Sequence, residues 1–349
     1  MKLRKAMAVG VILATSLGLA ACQGDPGASA GGDQGGQLVL YSSMTDSDIS
    51  TLEGLLKAKF PGIQIEVVNG SAGELTTRIK SEAGNPQGDM MWGGLDTSGG
   101  DQYTDVFEHW LSDYEGQQQA AYKSPNGFYN VDHLSTVAFA VNKDITASLG
   151  IEVKSYADLL NPALKGKIIM ADPTESSSAW NNVSNIMSVF GNDSPASWDY
   201  IKSLLGNGLV IATSSSLAFQ SVESGEYAVG LTYEDGIAAI LKNGASHTAL
   251  VYPAEGTSAS AFGTSVIKGA PHADVAKKVI NYIMSPEGQV AFGEAAGTIR
   301  MTTSQPINSQ WLPASNTIKW VDRDVKWLTA NRSAITAKWT EVFTQIHGA

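Results

Sequence analysis

Apolar positions along the chain follow two alternating rhythms. Leu38-Val39-Leu40-Tyr41 is a compact β-favouring run that opens into Ser42-Ser43. Ile49, Leu52, Leu55, Leu56 and Phe60 then recur at helical spacing, with Asp46 or Ser47 as the expected cap and Pro61-Gly62 as the stop. Ile63, Ile65 and Val67 alternate with polar residues as a second strand. Leu75, Ile79 and Ala83 mark a second helix, and Asp89 to Gly94 reads as a strand ending in glycine. The same succession returns later. Strands are expected at 167–171, 208–212 and 227–232, followed respectively by helical spacing at Trp180, Val183, Met187 and Phe190, at Leu217 to Val222, and at Ile237 to Leu241. Val275, Val279, Ile280 and Ile283 line one helix face, and a last long helix near 323–343 carries Trp327, Leu328, Ile335 and Trp339 on a packing stripe. Strands alternating with helices predict an α/β fold with a largely parallel sheet.

The amino end follows neither rhythm. Lys2, Arg4 and Lys5 precede an apolar run, Met7 to Leu19, that is too short for a membrane span, so residues 1–21 read as a secretory signal. The run closes on Leu19-Ala20-Ala21-Cys22, which resembles a bacterial lipobox. Cys22, the one cysteine of the chain, is therefore the expected lipidation site and membrane anchor of an extracytoplasmic protein. Residues 22–37 are rich in Gly, Ser, Ala, Asp and Gln and read as a flexible tether. The remaining body, roughly 310 residues, is long enough that two domains are expected. Its hydrophobic share of 43% is ordinary for a folded globule. The formal charge of −11 argues against a nucleic-acid partner, which needs clustered Lys and Arg, but leaves open an anionic ligand held by local dipoles.

Three stretches stand out in order: Leu38-Val39-Leu40-Tyr41-Ser42-Ser43, the run from Ala171 through Asp172-Pro173-Thr174-Glu175-Ser176-Ser177-Ser178 to Trp180, and Gly230-Leu231-Thr232-Tyr233-Glu234-Asp235-Gly236. With the ending Trp320 to Phe343, which contains Asn331-Arg332, they resemble the solute-binding proteins of ABC importers related to ferric-iron binders. The branch resembled is the one that handles hexose phosphates and aminoethylphosphonate. The resemblance implies a two-lobed periplasmic-binding-protein fold of type II with the ligand cleft between the lobes. Lobe one would be 38–138 plus 263–349 and lobe two 139–262, closing on a ligand by hinge motion. It implies a monomeric protein with no cofactor and no catalysis, whose partners are a small anionic ligand and an ABC permease in the membrane.

Open sheets of this kind bind ligands beyond the carboxyl ends of their strands, where the candidate residues fall. Thr174, Ser176 and Ser177 lie between a strand and a helix, where unpaired N–H groups suit a phosphate or carboxylate; an ordinary helix cap uses the same residues. Ser42 and Ser43 end the first strand, and Ser214 and Ser215 repeat the strand-to-helix pattern; each could hold the anion or serve its own turn. Glu234 and Asp235 could accept from sugar hydroxyls or an ammonium group; otherwise Asp235 caps the following helix and Glu234 is solvated. Trp92 and Gly93 could present a ring and bare backbone to a ligand, or plug the core. Arg300 could pair bidentately with a phosphate or serve a hinge or surface ion pair, and His133 reads as structural.

Ferric iron is the rival ligand, since it takes hard oxygen donors. The iron binders carry His, Glu and a Tyr-Tyr pair where this chain has Thr45, Gly94 and Glu234-Asp235, and no Tyr-Tyr occurs in the sequence. No metal site is expected. An enzyme is the second rival, but no HExxH, P-loop or cysteine-based metal motif is present, and the five histidines have no triad or ligand spacing.

Overall fold

The computed structural model describes residues 36–96 and 103–348; the signal, Cys22 and nearly all of the tether lie outside the described residues. In chain order the elements are β1 (Gln37–Ser42), α1 (Asp46–Lys59), β2 (Gln64–Asn69), α2 (Ala72–Ser81), β3 (Met90–Leu95), α3 (Tyr103–Val106), β4 (Asn130–Asn142), α4 (Lys143–Ser148), β5 (Ile168–Ala171), α5 (Ser177–Phe190) and α6 (Pro195–Gly206). They continue as β6 (Val210–Ala212), α7 (Ser215–Glu223), β7 (Val229–Tyr233), α8 (Glu234–Lys242), β8 (Thr248–Val251), β9 (Ala259–Val266), α9 (Ala273–Met284), α10 (Pro286–Ala296), β10 (Arg300–Met301) and α11 (Val325–His347).

The expected strands and helices form, and their starts are set by small hydroxyl caps: Thr45 for α1, Ser71 for α2 in a full capping box with Glu74, Ser194 for α6 and Ser285 for α10. The α1 cap is thus Thr45 rather than Asp46 or Ser47; those two fall inside the helix, where Asp46 and Asp48 favour its positive first turn.

One sheet runs through the body in the order β2-β1-β3-β9-β4-β7-β5-β6, with β8 and β10 also pairing β4. Its outer strands are parallel: β1 with β2 and β3, and β5 with β6 and β7. The centre differs from the expected parallel order, because β4 is antiparallel to β7, β8, β9 and β10, and β3 is antiparallel to β9. β4 pairs with β9 and β10 up to Thr136 and with β7 and β8 from Val137 onward, so it serves both halves of the sheet.

Each half is covered on both faces, and the period of two along the strands sends alternate residues to different cores. In the first half Leu38 and Leu40 pack against α1, α9 and α10, while Tyr41 packs against α2 and α3. In the second half Phe139 and Val141 meet α5 and α6, while Ala138 and Ala140 meet α7 and α8.

Two parts of the chain sit elsewhere than the resemblance implied. β9 begins at Ala259 and hydrogen-bonds within the first half, so that half takes up the chain before residue 263. The last helix, α11, was expected with the first half; instead Leu328, Ile335, Trp339 and Val342 pack into the core of the second, beside Phe139 and Trp198. The physical reason is the apolar stripe itself, which meets the α5 and α6 layer and closes that face of the sheet.

Candidate functional site

β1 and β3 end side by side. Ser42 is fully buried: its Oγ donates to Trp92 O and accepts from Met44 N, both at 3.2 Å. Ser43 N donates to the same carbonyl. Trp92 is not available to a ligand, because its ring packs edge-on against Phe292 and its Nε1 donates to Asp132 Oδ2 at 2.8 Å in the core. Gly93 has φ +85°, and a Cβ there would lie 2.6 Å from Met44 Sδ. Only glycine lets β3 turn away this close to the β1 exit.

In the other half, β5 leads into a turn organised by Asp172. Its Oδ1 accepts from Thr174 N at 2.8 Å and from Thr174 Oγ1 at 2.7 Å, and its carbonyl accepts from Glu175 N and Ser176 N. The N–H groups of residues 174–176, expected to face an anion, are therefore already engaged. Those of Ser177 and Ser178, at the helix start, have no partner within the helix. Ser176 caps α5 through Ala179 N and lies 2.5 Å, oxygen to oxygen, from Ser215. Ser214 caps α7 through Leu217 N. Thr232 Oγ1 donates to Ser215 O, and Asn182 Nδ2 donates to Thr232 O. The structure thus brings Ser176 and Ser215 together, places Ser42, Ser43 and Gly93 together at the other half, and leaves Thr174 and Ser177 exposed.

Glu234 and Asp235 face inward rather than to a ligand. Glu234 is 1% exposed, and Arg300 Nε donates to its two oxygens at 2.9 and 2.8 Å. The Tyr252 hydroxyl also donates to it. The rest of the Arg300 fork is bound by Ser315 Oγ and Pro313 O. Since β10 pairs with the first part of β4 and α8 follows β7, this buried ion pair joins the two halves. Asp235 accepts from Ser135 Oγ at 3.0 Å, and burial, with help from the Glu234 and Asp48 carboxylates, pushes it up to about 7. Burial also raises Asp48. His133 stacks on Phe262 and contacts Asp132 Oδ1 at 3.1 Å. Burial alone would lower His133, but the Asp132 carboxylate outweighs it and the net shift is upward.

A cavity of about 430 Å³ opens between Asp96, just beyond β3, the loop at Tyr122 and Lys123, the first turns of α5 and the start of β9. A larger groove of about 660 Å³ lies beside Lys242 and Trp311, away from the strand ends. Arg323 borders the cavity: its Nη2 donates to Asn181 Oδ1 at 2.8 Å and its Nη1 to Ser260 Oγ. Arg332 is placed over the Trp180 ring at 5.2 Å. Asn181 is one turn along α5 from the exposed Ser177. Sequence reasoning had not singled out Arg323 or Asn181 as site residues; 142 positions separate them, and no local motif joins them.

Two α/β halves hung on shared central antiparallel strands, with a cavity between them, define the periplasmic-binding-protein fold of type II. The chain belongs to the bacterial extracellular solute-binding protein family, whose profile matches residues 56–315. It is similar to the periplasmic binding protein AfuA from Actinobacillus pleuropneumoniae, solved with exogenous fructose-6-phosphate bound, at 26% identity and TM-score 0.76 over 89% of this chain and 99% of that one. A putative 2-aminoethylphosphonate-binding periplasmic protein of Salmonella typhi is 23% identical over 267 residues, 75% of this chain and 74% of that protein. Iron-bound HitA from Pseudomonas aeruginosa shares the fold at 18% identity and TM-score 0.70, covering 89% of this chain and 99% of that one. The chain is accordingly a bacterial extracellular solute-binding protein by family.

Two outcomes follow from the buried charges. Glu234→Leu strands Arg300 and should lower unfolding stability by about 3–5 kcal/mol in urea titrations, while the double change with Arg300→Met should regain most of that loss. Asp235, Asp48 and His133 each hold a proton to higher pH in the folded chain than in the unfolded one. The support from Asp235 is full below the unfolded carboxylate range near about 4 and is lost progressively as pH rises through about 7, and the other two groups act in the same direction. Carboxylates held low, such as Glu223 and Asp158, act only in more acid solution. Calorimetry should therefore give a higher Tm near about pH 5 than near about pH 8, with a shallower slope in Asp235→Asn; a wild type steadier at the alkaline end would contradict this.

Proposed function

We propose that the chain captures a small phosphorylated organic anion, a hexose phosphate or a phosphonate, in the cavity between the two halves and delivers it to the permease. The observation that carries this reading is the cavity's place and size: about 430 Å³, at the end of β3 and the start of α5. That volume suits a small organic solute rather than a bare metal ion. Fructose-6-phosphate in AfuA and the aminoethylphosphonate name of the Salmonella relative support the same ligand class. The halves act as lobes divided where β4 changes partners, with β9 in the first and α11 in the second, and they close on the ligand by bending there. Binding is capture without chemistry. The protein works as a monomer, held at the membrane through lipid on Cys22.

Purified protein should melt at higher temperature with glucose-6-phosphate, fructose-6-phosphate or 2-aminoethylphosphonate, and be unmoved by free glucose or fructose. At 100 times the dissociation constant the gain should be roughly 2.7 kcal/mol. A response to ferric citrate alone would replace this ligand class with iron.

Anchoring is tested separately by expressing the full chain in a bacterium and partitioning it in a detergent that phase-separates on warming. The unaltered chain should enter the detergent phase and Cys22→Ser the aqueous phase; equal partition of the two would rule the anchor out.

A further inference from the structure

Arg300 and Arg323 show two ways of holding a guanidinium, Arg300 in the interior and Arg323 half-buried at the edge of the cavity. Arg300 has a carboxylate, a hydroxyl and a carbonyl around its fork. Arg323 has two neutral acceptors, Asn181 Oδ1 and Ser260 Oγ. Among the described residues no carboxylate comes within ion-pair distance of it, and its Nε is sealed from solvent without a hydrogen-bond partner. Burial pulls the group down to about 10; the Asp96 carboxylate acts against the shift and the Arg332 guanidinium adds to it. A half-buried cation with a sealed, unpartnered Nε and no carboxylate beside it is left incompletely compensated.

The surroundings say what would complete it. Arg323 borders the cavity, and Arg332, held against Trp180, contributes a second guanidinium to the same wall. Ser258, 2% exposed, borders it too, with an Oγ that has no partner. Two guanidiniums with five donors each match the planar edges and double charge of a phosphate or phosphonate better than those of a neutral sugar.

We propose that Arg323, backed by Arg332, is the residue that receives the oxyanion of the bound solute. This rests on the ligand class proposed above and deepens it. The anion is read by guanidinium groups, while the serine-rich turn at 174–176, whose amides are engaged by Asp172, does not line the cavity. The contact also couples binding to closure. Asn181 stands on α5 of the second half and Ser260 on β9 of the first, so an anion seated on Arg323 fixes a side chain that already spans both.

The test compares wild type, Arg323→Gln and Arg332→Gln by thermal melting and calorimetric titration with glucose-6-phosphate and 2-aminoethylphosphonate. Arg323→Gln should bind about 10- to 100-fold more weakly, yet melt without ligand at the same temperature as wild type or higher, because an uncompensated charge has been removed. Arg332→Gln should show a smaller loss in affinity. If wild type responds to a phosphate or phosphonate and Arg323→Gln responds equally, the role of Arg323 is overturned and the ligand class stands. If wild type responds to ferric citrate alone, both fall. An Arg323→Gln protein that melts well below wild type or fails to fold marks the arginine as structural. In that event Arg323→Lys, which keeps the charge and loses the fork, decides independently: unchanged affinity overturns the proposal and a clear loss upholds it.

Discussion

The peptide groups of β4 are divided between two ladders. Up to Thr136 they bond β9 and β10, and from Val137 onward β7 and β8. The register is therefore fixed in both halves by one continuous backbone. A slip of one residue would exchange Phe139 and Val141 with Ala138 and Ala140, turning large side chains toward α7 and α8 and small ones toward the α5 layer. Sliding is thus forbidden on both sides of the change of partners. The unpartnered buried Thr136 Oγ1 lies at that point, and a register shift between Val131 and His133 lies earlier on the same strand.

Polar contacts decide how the halves sit across this strand. Arg300 and Glu234 are desolvated together, and such a pair adds little net stability while strongly penalising any arrangement that separates it. Lys242, at the end of α8, donates to the carbonyls of Ala295 and Ala296, the negative end of α10. Ser135 binds Asp235 on the same side. These contacts are complete without a ligand. On the side of the cavity, Arg323 links Ser260 to Asn181 through neutral acceptors only.

Most elements were legible because their signals are local. Periods of two and 3.6, Ser or Thr before a helix and Pro-Gly after one operate within a few residues. The antiparallel centre was not legible, since β4 opens with Asn130-Val131-Asp132-His133, whose polar side chains are buried, with Asp132 Oδ2 held by the distant Trp92 and Asn130 Oδ1 by Ser112 N. The site divided in the same way. Ser176 and Ser214 follow the capping grammar that made them visible, yet nothing local showed that Asp172 would occupy the neighbouring amides. Glu234 appeared free because its partner, Arg300, is 66 positions away. Arg323 read as the start of a helix and nothing more, because its neighbours Asn181 and Ser260 belong to other elements.

The last helix gives the molecule an order of assembly. Leu328, Ile335, Trp339 and Val342 close a core whose other members begin at Phe139, so that core stays open until almost the whole chain is present. A polypeptide emerging from its amino end cannot seal its second half early. Late completion of this kind leaves the nascent chain loose, the state in which a polypeptide can be threaded through a narrow export channel before it folds on the far side.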